Sequence, residues 1–404
     1  MTRLAKIGLM TLVLYIAICL STQGLLSEDW PQWRGTNRDG VWRETGIVDA
    51  IPIDGLKVRW RAKIGRGYSG PVVANGRVFV TDQIFNPEVK RVLCFDEITG
   101  ESIWTHSCAV DYEHMEYGNG PRASPTVHDG RVYTLGTQGD LCCLDALTGA
   151  LHWQKDLQQQ YDANIPRYGA SVAPLVEGDV LIVCIGGRPD ASVIALDRVT
   201  GEERWTALDD EAGYSAPIVV ESGGKRQAII WTAENIVSLN PATGAVYWTE
   251  KWKASFDAAQ VVATPVVYHD QILFVMSFNR GSKMLKLHAD EPTASVLWHT
   301  RSRPTTTMST PMRIDDEYFY TVDNVGGLCC QKADSGEELW RTSDVAGDSP
   351  NNNVHLTPNG NQVFMFNQRG QLISARISPQ GYQETGRSLL VESTAAYRVQ
   401  GPLV

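Results

Sequence analysis

The chain has 404 residues, 43% of them apolar and 20% charged, and a net charge of −10 at pH 7. That length is ample for a large core. The acidic balance argues against a nucleic-acid partner and against docking on anionic lipid through a basic face.

Arg3 and Lys6 precede an apolar run over residues 7–20, followed by small and polar residues. This is the pattern of an export signal over residues 1–26, and the run is short for a membrane span. Cleavage between Ser21 and Glu28 releases the chain; retention leaves an N-terminal anchor, so membrane contact is peripheral or through that anchor. In Ile16-Ala17-Ile18-Cys19 the bulky Ile18 stands where a lipid-attachment motif wants a small residue before the Cys. Residues 27–55 read as a leader, and 56–404 as one repeating domain.

The repeat has a period of about 45 residues. Its clearest copies run from Phe95-Asp96 through Thr99-Gly100 to Trp104, and from Leu144-Asp145 through Thr148-Gly149 to Trp153. Leu196-Asp197 to Trp205 and Leu239-Asn240 to Trp248 match them, and looser copies end at Trp298 and Trp340. In the copy ending at Trp298, His288 takes the Asp place and the turn is two residues longer. Asp or Asn ahead of Thr-Gly is hairpin chemistry: the side chain accepts from backbone N–H groups and the Gly supplies positive φ. The Trp that follows lies on the outgoing strand, where a large ring can dock between neighbouring units.

Each unit opens alike, with a small residue before Pro: Gly70-Pro71, Ser124-Pro125, Ala173-Pro174, Ala216-Pro217, Thr264-Pro265 and Thr310-Pro311. Pro is tolerated at the first position of a strand. A turn such as Asn75-Gly76 or Asp129-Gly130 then leads to an apolar strand. Four strands per unit at this period make propeller blades. A seventh unit runs from about Asn353 to Leu390 and has no Trp after its hairpin. Trp60 closes a half-repeat. The expected fold is therefore all-β: an eight-bladed propeller of four-stranded antiparallel blades, its last blade closed by the N-terminal strand and incomplete at the C-terminus. Trp60, Trp104, Trp153, Trp205, Trp248, Trp298 and Trp340 are its docking residues.

The Leu-Asp-x-x-Thr-Gly-x-x-x-Trp phrase resembles the pyrroloquinoline-quinone (PQQ)-type propeller repeat, which quinoprotein alcohol dehydrogenases share with BamB, a scaffold of outer-membrane barrel assembly. The resemblance covers roughly residues 56–400. The leader phrase Asp29-Trp30-Pro31-Gln32-Trp33-Arg34-Gly35 and the stretch Tyr117-Gly118-Asn119-Gly120-Pro121-Arg122 are similar to exported PQQ-like propellers of planctomycete-type bacteria. It implies a fold rather than a function.

A quinoprotein dehydrogenase needs calcium held by converging oxygens and an Asp base. The candidate clusters are Asp209-Asp210-Glu211 and Asp315-Asp316-Glu317, both reading more naturally as solvated turns. Cys142-Cys143 and Cys329-Cys330 suggest the vicinal disulfide of some quinone enzymes. The register argues otherwise: Cys94, Cys143 and Cys330 share one place, which other units fill with Ala195 and Ser238. That is a tight packing position, and buried Cys behaves as a small hydrophobe. The eight histidines are scattered, with His128 and His269 in equivalent turns. No catalytic, cofactor-binding or metal-binding residue is assigned.

Opening strands are innermost in a propeller, so residues three before each Pro ring one mouth of the channel: Tyr68, Arg122, Ser171, Tyr214, Val262 and Met308. Tyr68, Arg122 and Tyr214 are the candidate binding residues, suited to a peptide segment or an anionic or sugar ligand. The expected function is a non-catalytic interaction scaffold, in the periplasm or cell envelope, with an envelope protein or peptide segment as partner and no cofactor. The alternative is a PQQ- and calcium-dependent alcohol dehydrogenase.

Overall fold

The computed structural model describes residues 28–85, 88–110, 112, 120–253, 261–275, 281–301, 304–306, 308–323, 326–346 and 353–392. The expected export signal, residues 117–119 of the family-like stretch and the chain end at 401–404 lie outside the described residues.

The described residues form seven four-stranded antiparallel sheets, each ordered from inner to outer strand along the sequence. Blade 1 is β1 (Val72–Ala74), β2 (Arg77–Phe85), β3 (Glu88–Asp96) and β4 (Ser102–Ala109). Blade 2 is β5 (Thr126–His128), β6 (Arg131–Leu135), β7 (Asp140–Asp145) and β8 (Leu151–Asp156). Five more follow, ending with the blade from Val354–Asn359 to Gly381–Leu389. In the first six blades the inner strand begins at the residue after the opening Pro. Inner strands of successive blades touch, β1 with β5 and β5 with Leu175–Glu177, so the blades stand around a channel as the repeat implied.

The hairpin phrase works as expected. Asp96 Oδ1 accepts from the N–H groups of Ile98 (3.0 Å) and Thr99 (2.8 Å), and Asp145 and Asp197 repeat this with their own turns. The packing position now has a cause. Cys94, Cys143, Ala195, Ser238 and Cys330 are the direct cross-strand partners of Trp104, Trp153, Trp205, Trp248 and Trp340. A register shift follows immediately after each pair. Such a bulge re-aims a side chain, and here it faces the Trp toward the next blade.

There the ring meets the hairpin Gly of that blade. A Cβ on Gly149 would lie 2.6 Å from Trp104, one on Gly201 2.7 Å from Trp153, and one on Gly244 2.6 Å from Trp205. The indole N–H groups of Trp104 and Trp205 donate to the carbonyls of Ala146 (3.2 Å) and Pro241 (3.0 Å) beneath them. Trp153 does not, because the Tyr133 hydroxyl donates to the corresponding carbonyl, Arg198 O (3.0 Å). Trp248 faces the longer hairpin that lacks Thr-Gly and turns instead to Gln227 Oε1 of its own blade (3.1 Å). Of the docking tryptophans only Trp205 is fully buried; the others are half-buried.

The core lies between blades rather than within one. One cluster joins Val72, Phe79, Val92 and Cys94 of blade 1 to Val132, Cys142 and Leu144 of blade 2; the next joins Tyr133 and Cys143 of blade 2 to Leu181 and Ile194 of blade 3. Cys142 and Cys143 therefore point to opposite faces of β7, and both are free thiols. The vicinal-disulfide reading has no support here.

At the eighth position, Trp60 docks like its counterparts: its indole N–H donates to Glu97 O (2.9 Å), and a Cβ on Gly100 would meet its ring at 2.4 Å. Residues 56–64 join no ladder, so the position is held by a docked segment. The seam from blade 7 is filled by the leader. Trp42 N–H donates to Pro358 O (2.9 Å), and its ring meets Phe364 edge-on at 5.3 Å. Ile51 and Leu56 N–H groups donate to the hydroxyls of Ser374 and Ser388 further out on blade 7.

Candidate functional site

The leader does more than fill a seam; it enters the channel. Trp30 bridges Val73 of β1 with two backbone hydrogen bonds, and Pro31 O accepts from Val127 N–H of β5 (2.8 Å). Trp33 Nε1–H donates to Thr264 Oγ1 (2.9 Å), and its ring meets His355 edge-on. The Arg38 guanidinium donates to Pro217 O (3.2 Å) and Pro174 O. One short segment thus touches blades 1, 2, 3, 4, 5 and 7. Arg38 is 5% exposed, and burial lowers its pKa to about 9. Two non-glycine residues of the segment, Arg34 and Arg38, sit at positive φ (63° and 56°), a strain that the surrounding contacts must hold.

Asp29 also accepts from Asn75 N–H (3.0 Å) in the first turn of blade 1, so the leader enters from the end of the channel where the opening strands finish. The opposite end, where they begin, carries the sequence-identified residues. Arg122 lies over the ring of Tyr68 at 4.9 Å, and Tyr68 N–H donates to Pro121 O (2.8 Å). Burial lowers the Arg122 pKa, opposed by the Tyr68 and Tyr214 hydroxyls, so Arg122 and Tyr214 are electrostatic neighbours. Tyr214 is more enclosed than a rim residue: it is 8% exposed, its hydroxyl accepts from Tyr168 N–H (3.1 Å), and burial pushes its pKa up to about 12. Ser171 and Val262 are half-buried, and Met308 is exposed.

Sequence reasoning missed two members of this group. Tyr168 packs on Tyr214 with centroids 5.9 Å apart, and Arg167 lies over Tyr168 at 5.9 Å. Both come from the stretch after α1 (Leu157–Gln160), a single turn capped by Asp156. They stand outside the repeat register, so no comparison between units could expose them. Their composition was the available signal, since Arg-Tyr at a mouth already holding Tyr and Arg extends one cation–aromatic patch.

The carboxylate candidates are otherwise engaged. Asp210 Oδ2 accepts from Thr232 Oγ1 (2.6 Å) and Asn235 Nδ2 (2.8 Å), which fixes the loop, while Asp209 points to solvent. Asp315 Oδ1 accepts from the N–H groups of Glu317 and Tyr318, and Asp316 pairs with exposed His269 (2.9 Å). Among the described residues no three His, Cys, Asp or Glu side chains are placed to hold one metal ion.

A family model described as outer membrane protein assembly factor BamB matches residues 88–342. Over 144 residues the chain is 28% identical to the quinoprotein alcohol dehydrogenase PedH of Pseudomonas putida, a stretch covering 33% of this chain and 23% of PedH. The chain spans about a quarter of the length of the alcohol dehydrogenases it matches in sequence. Among solved structures, BamB from Moraxella catarrhalis superposes with a TM-score of 0.55 at 16% identity, covering 81% of this chain and 84% of that one. The quinohemoprotein alcohol dehydrogenase ADHIIG from Pseudomonas putida HK5 gives 0.57 at 12% identity, covering 91% and 73%. At these identities the two structures speak for a shared fold alone.

Proposed function

The chain belongs to the family described as outer membrane protein assembly factor BamB, and on that premise we propose that it is an exported, non-catalytic scaffold of the cell envelope. It captures a peptide segment of an envelope protein at the channel mouth built by Tyr68, Arg122 and Tyr168. The supporting observation is the chemistry of that mouth. A guanidinium held over a tyrosine ring, with a second Arg-Tyr pair beside it, suits a carboxylate-bearing segment whose apolar parts lie on the rings. On a chain of net charge −10, this local excess of arginine selects an acidic segment and repels a basic one.

The test is capture from detergent-solubilised envelope by wild type, Tyr68→Ala and Arg122→Ala. Both variants should lose partner recovery several-fold and keep the wild-type melting temperature. Tyr214→Ala is unsuitable, because its buried ring supports the fold. Undiminished capture by both variants would falsify the mouth as the binding site. Alcohol oxidation that requires added PQQ and calcium, and that disappears in Asp209→Asn or Asp210→Asn, would replace the scaffold with a dehydrogenase.

A further inference from the structure

Two cysteines from different blades meet at the junction of blades 1 and 2. Cys108, on the outer strand β4, and Cys142, on β7, have their sulfurs 3.8 Å apart. The repeat accounts for one of them. Cys142 holds a core position that Ile194, Val237 and Cys329 fill elsewhere. Cys108 has no such excuse: it stands four residues after its docking Trp, where other blades carry Leu157, Asp209 and Trp252. Two unrelated repeat positions thus bring thiols together across one blade boundary.

Their surroundings are those of a reactive pair. Lys90 is the cross-strand neighbour of Cys108 on β3. Its ammonium is fully buried and ion-paired with Asp140, two residues before Cys142 on β7. The Tyr112 hydroxyl donates to the same carboxylate (3.0 Å). His106 precedes Cys108 by two residues on β4. The groups facing the thiols are therefore Lys90, Asp140, Tyr112 and His106. The two sulfurs differ in access: Cys108 is half-buried, whereas Cys142 is 3% exposed.

We propose that Cys108 and Cys142 form a redox-active dithiol that closes into a disulfide joining blade 1 to blade 2, by exchange with a small-molecule or protein disulfide. Cys108 is the attacking sulfur. The Cys142 thiol hydrogen bond, then Lys90 and His106, draw its pKa down to about 6 against the opposing effect of burial. The same hydrogen bond, with burial, pushes Cys142 up. A low-pKa, accessible thiol beside a buried partner is the arrangement of an attacking and a resolving cysteine.

The Cys108 thiolate attacks one sulfur of the donor R–S–S–R and expels R–S⁻, leaving a mixed disulfide on Cys108. Cys142 then loses its proton and attacks the Cys108 sulfur, expelling the second R–S⁻. The two chain thiols lose two electrons and two protons, and the donor becomes two thiols. Closure requires the sulfurs to approach from 3.8 Å to about 2.05 Å. The bond lies on the same blade boundary as the Trp104–Gly149 dock, so it adds a covalent clamp to a junction already held by packing.

The test uses the reduced full-length chain with oxidised glutathione as donor. After an acid quench it is denatured in alkylating reagent, digested and weighed. The expected product is the Cys108 peptide joined to the Cys142 peptide, lighter by two hydrogens and free of glutathione. Cys142→Ser should stop at a glutathione adduct on Cys108, and Cys108→Ser should leave Cys142 alkylated. Wild-type protein that retains two alkylated thiols, or that stalls with glutathione on Cys108, would overturn the proposal. The wild-type measurement stands whether or not either variant folds.

Discussion

Asp197 shows how one side chain fixes a turn and makes it pH-dependent. Its Oδ1 accepts from Val199 and Thr200 N–H groups at 2.8 Å each, and Arg204 pairs with its other oxygen. The Thr200 hydrogen bond, then Arg204, lower its pKa from 3.8 to about 2; Asp96 and Asp145 are lowered by their own turns. A folded pKa below the unfolded value means the native state binds fewer protons. The contribution is then full above pH 3.8 and is lost as pH falls through about 2. Asn keeps the acceptor but cannot titrate, and the fourth blade already uses Asn240 this way, its Oδ1 accepting from Ala242 N–H (2.9 Å). Asp197→Asn should therefore lower the denaturant midpoint slightly at pH 7. It should also flatten the decline between about pH 4 and pH 2, measured by unfolding at a series of pH values. An unchanged decline would show that Asp197 carries none of it.

At the scale of the strand and hairpin, the sequence was informative because the elements recur. Opening prolines, hairpin aspartates and closing tryptophans could be aligned against one another, and in the first three blades they stand at equivalent places, whereas Trp60 joins no ladder and Trp248 turns to its own blade. What alignment between units could not supply was the contact each repeat makes with the next. The hairpin Gly was legible as a positive-φ residue; that it also makes room for the previous blade's indole was not, because the two lie about 45 residues apart. The two demands can be separated. Gly130 (φ 71°) has open space where a Cβ would go, whereas on Gly149 (φ 72°) it would strike Trp104 at 2.6 Å. Gly130→Ala should cost only the left-handed backbone penalty, about 1–2 kcal/mol. Gly149→Ala should cost that plus the displaced indole, about 2 kcal/mol further from overpacking, and should shift Trp104 fluorescence. Equal losses for the two variants would mean that the indole yields freely and the dock is weak.

For the whole molecule, what the sequence left hidden was everything outside the register: the Arg167-Tyr168 pair at one mouth and the leader in the other. The leader carries no periodicity, so its Trp and Arg residues could be read only as a family-like phrase. In the ring they act as a hub. Blades hold to their neighbours through packing and docked tryptophans, but the leader is a segment that reaches blades 1, 2, 3, 4, 5 and 7 at once. Arg38 is its most committed residue, because a buried guanidinium must keep its acceptors or carry an unpaired charge. Arg38→Ala removes the hydrogen bonds to Pro174 and Pro217 and leaves a void among inner strands, for a loss of about 3 kcal/mol. Arg38→Lys should restore little, since an ammonium cannot spread donors to two carbonyls as the planar fork does. Because those carbonyls belong to the adjacent blades 3 and 4, the loss should appear in both. Hydrogen exchange should quicken in Leu175–Glu177 and Ile218–Ser222 together, ahead of the outer strands. Exchange that quickened only in the leader would show that the plug is held by the ring and gives the ring nothing in return.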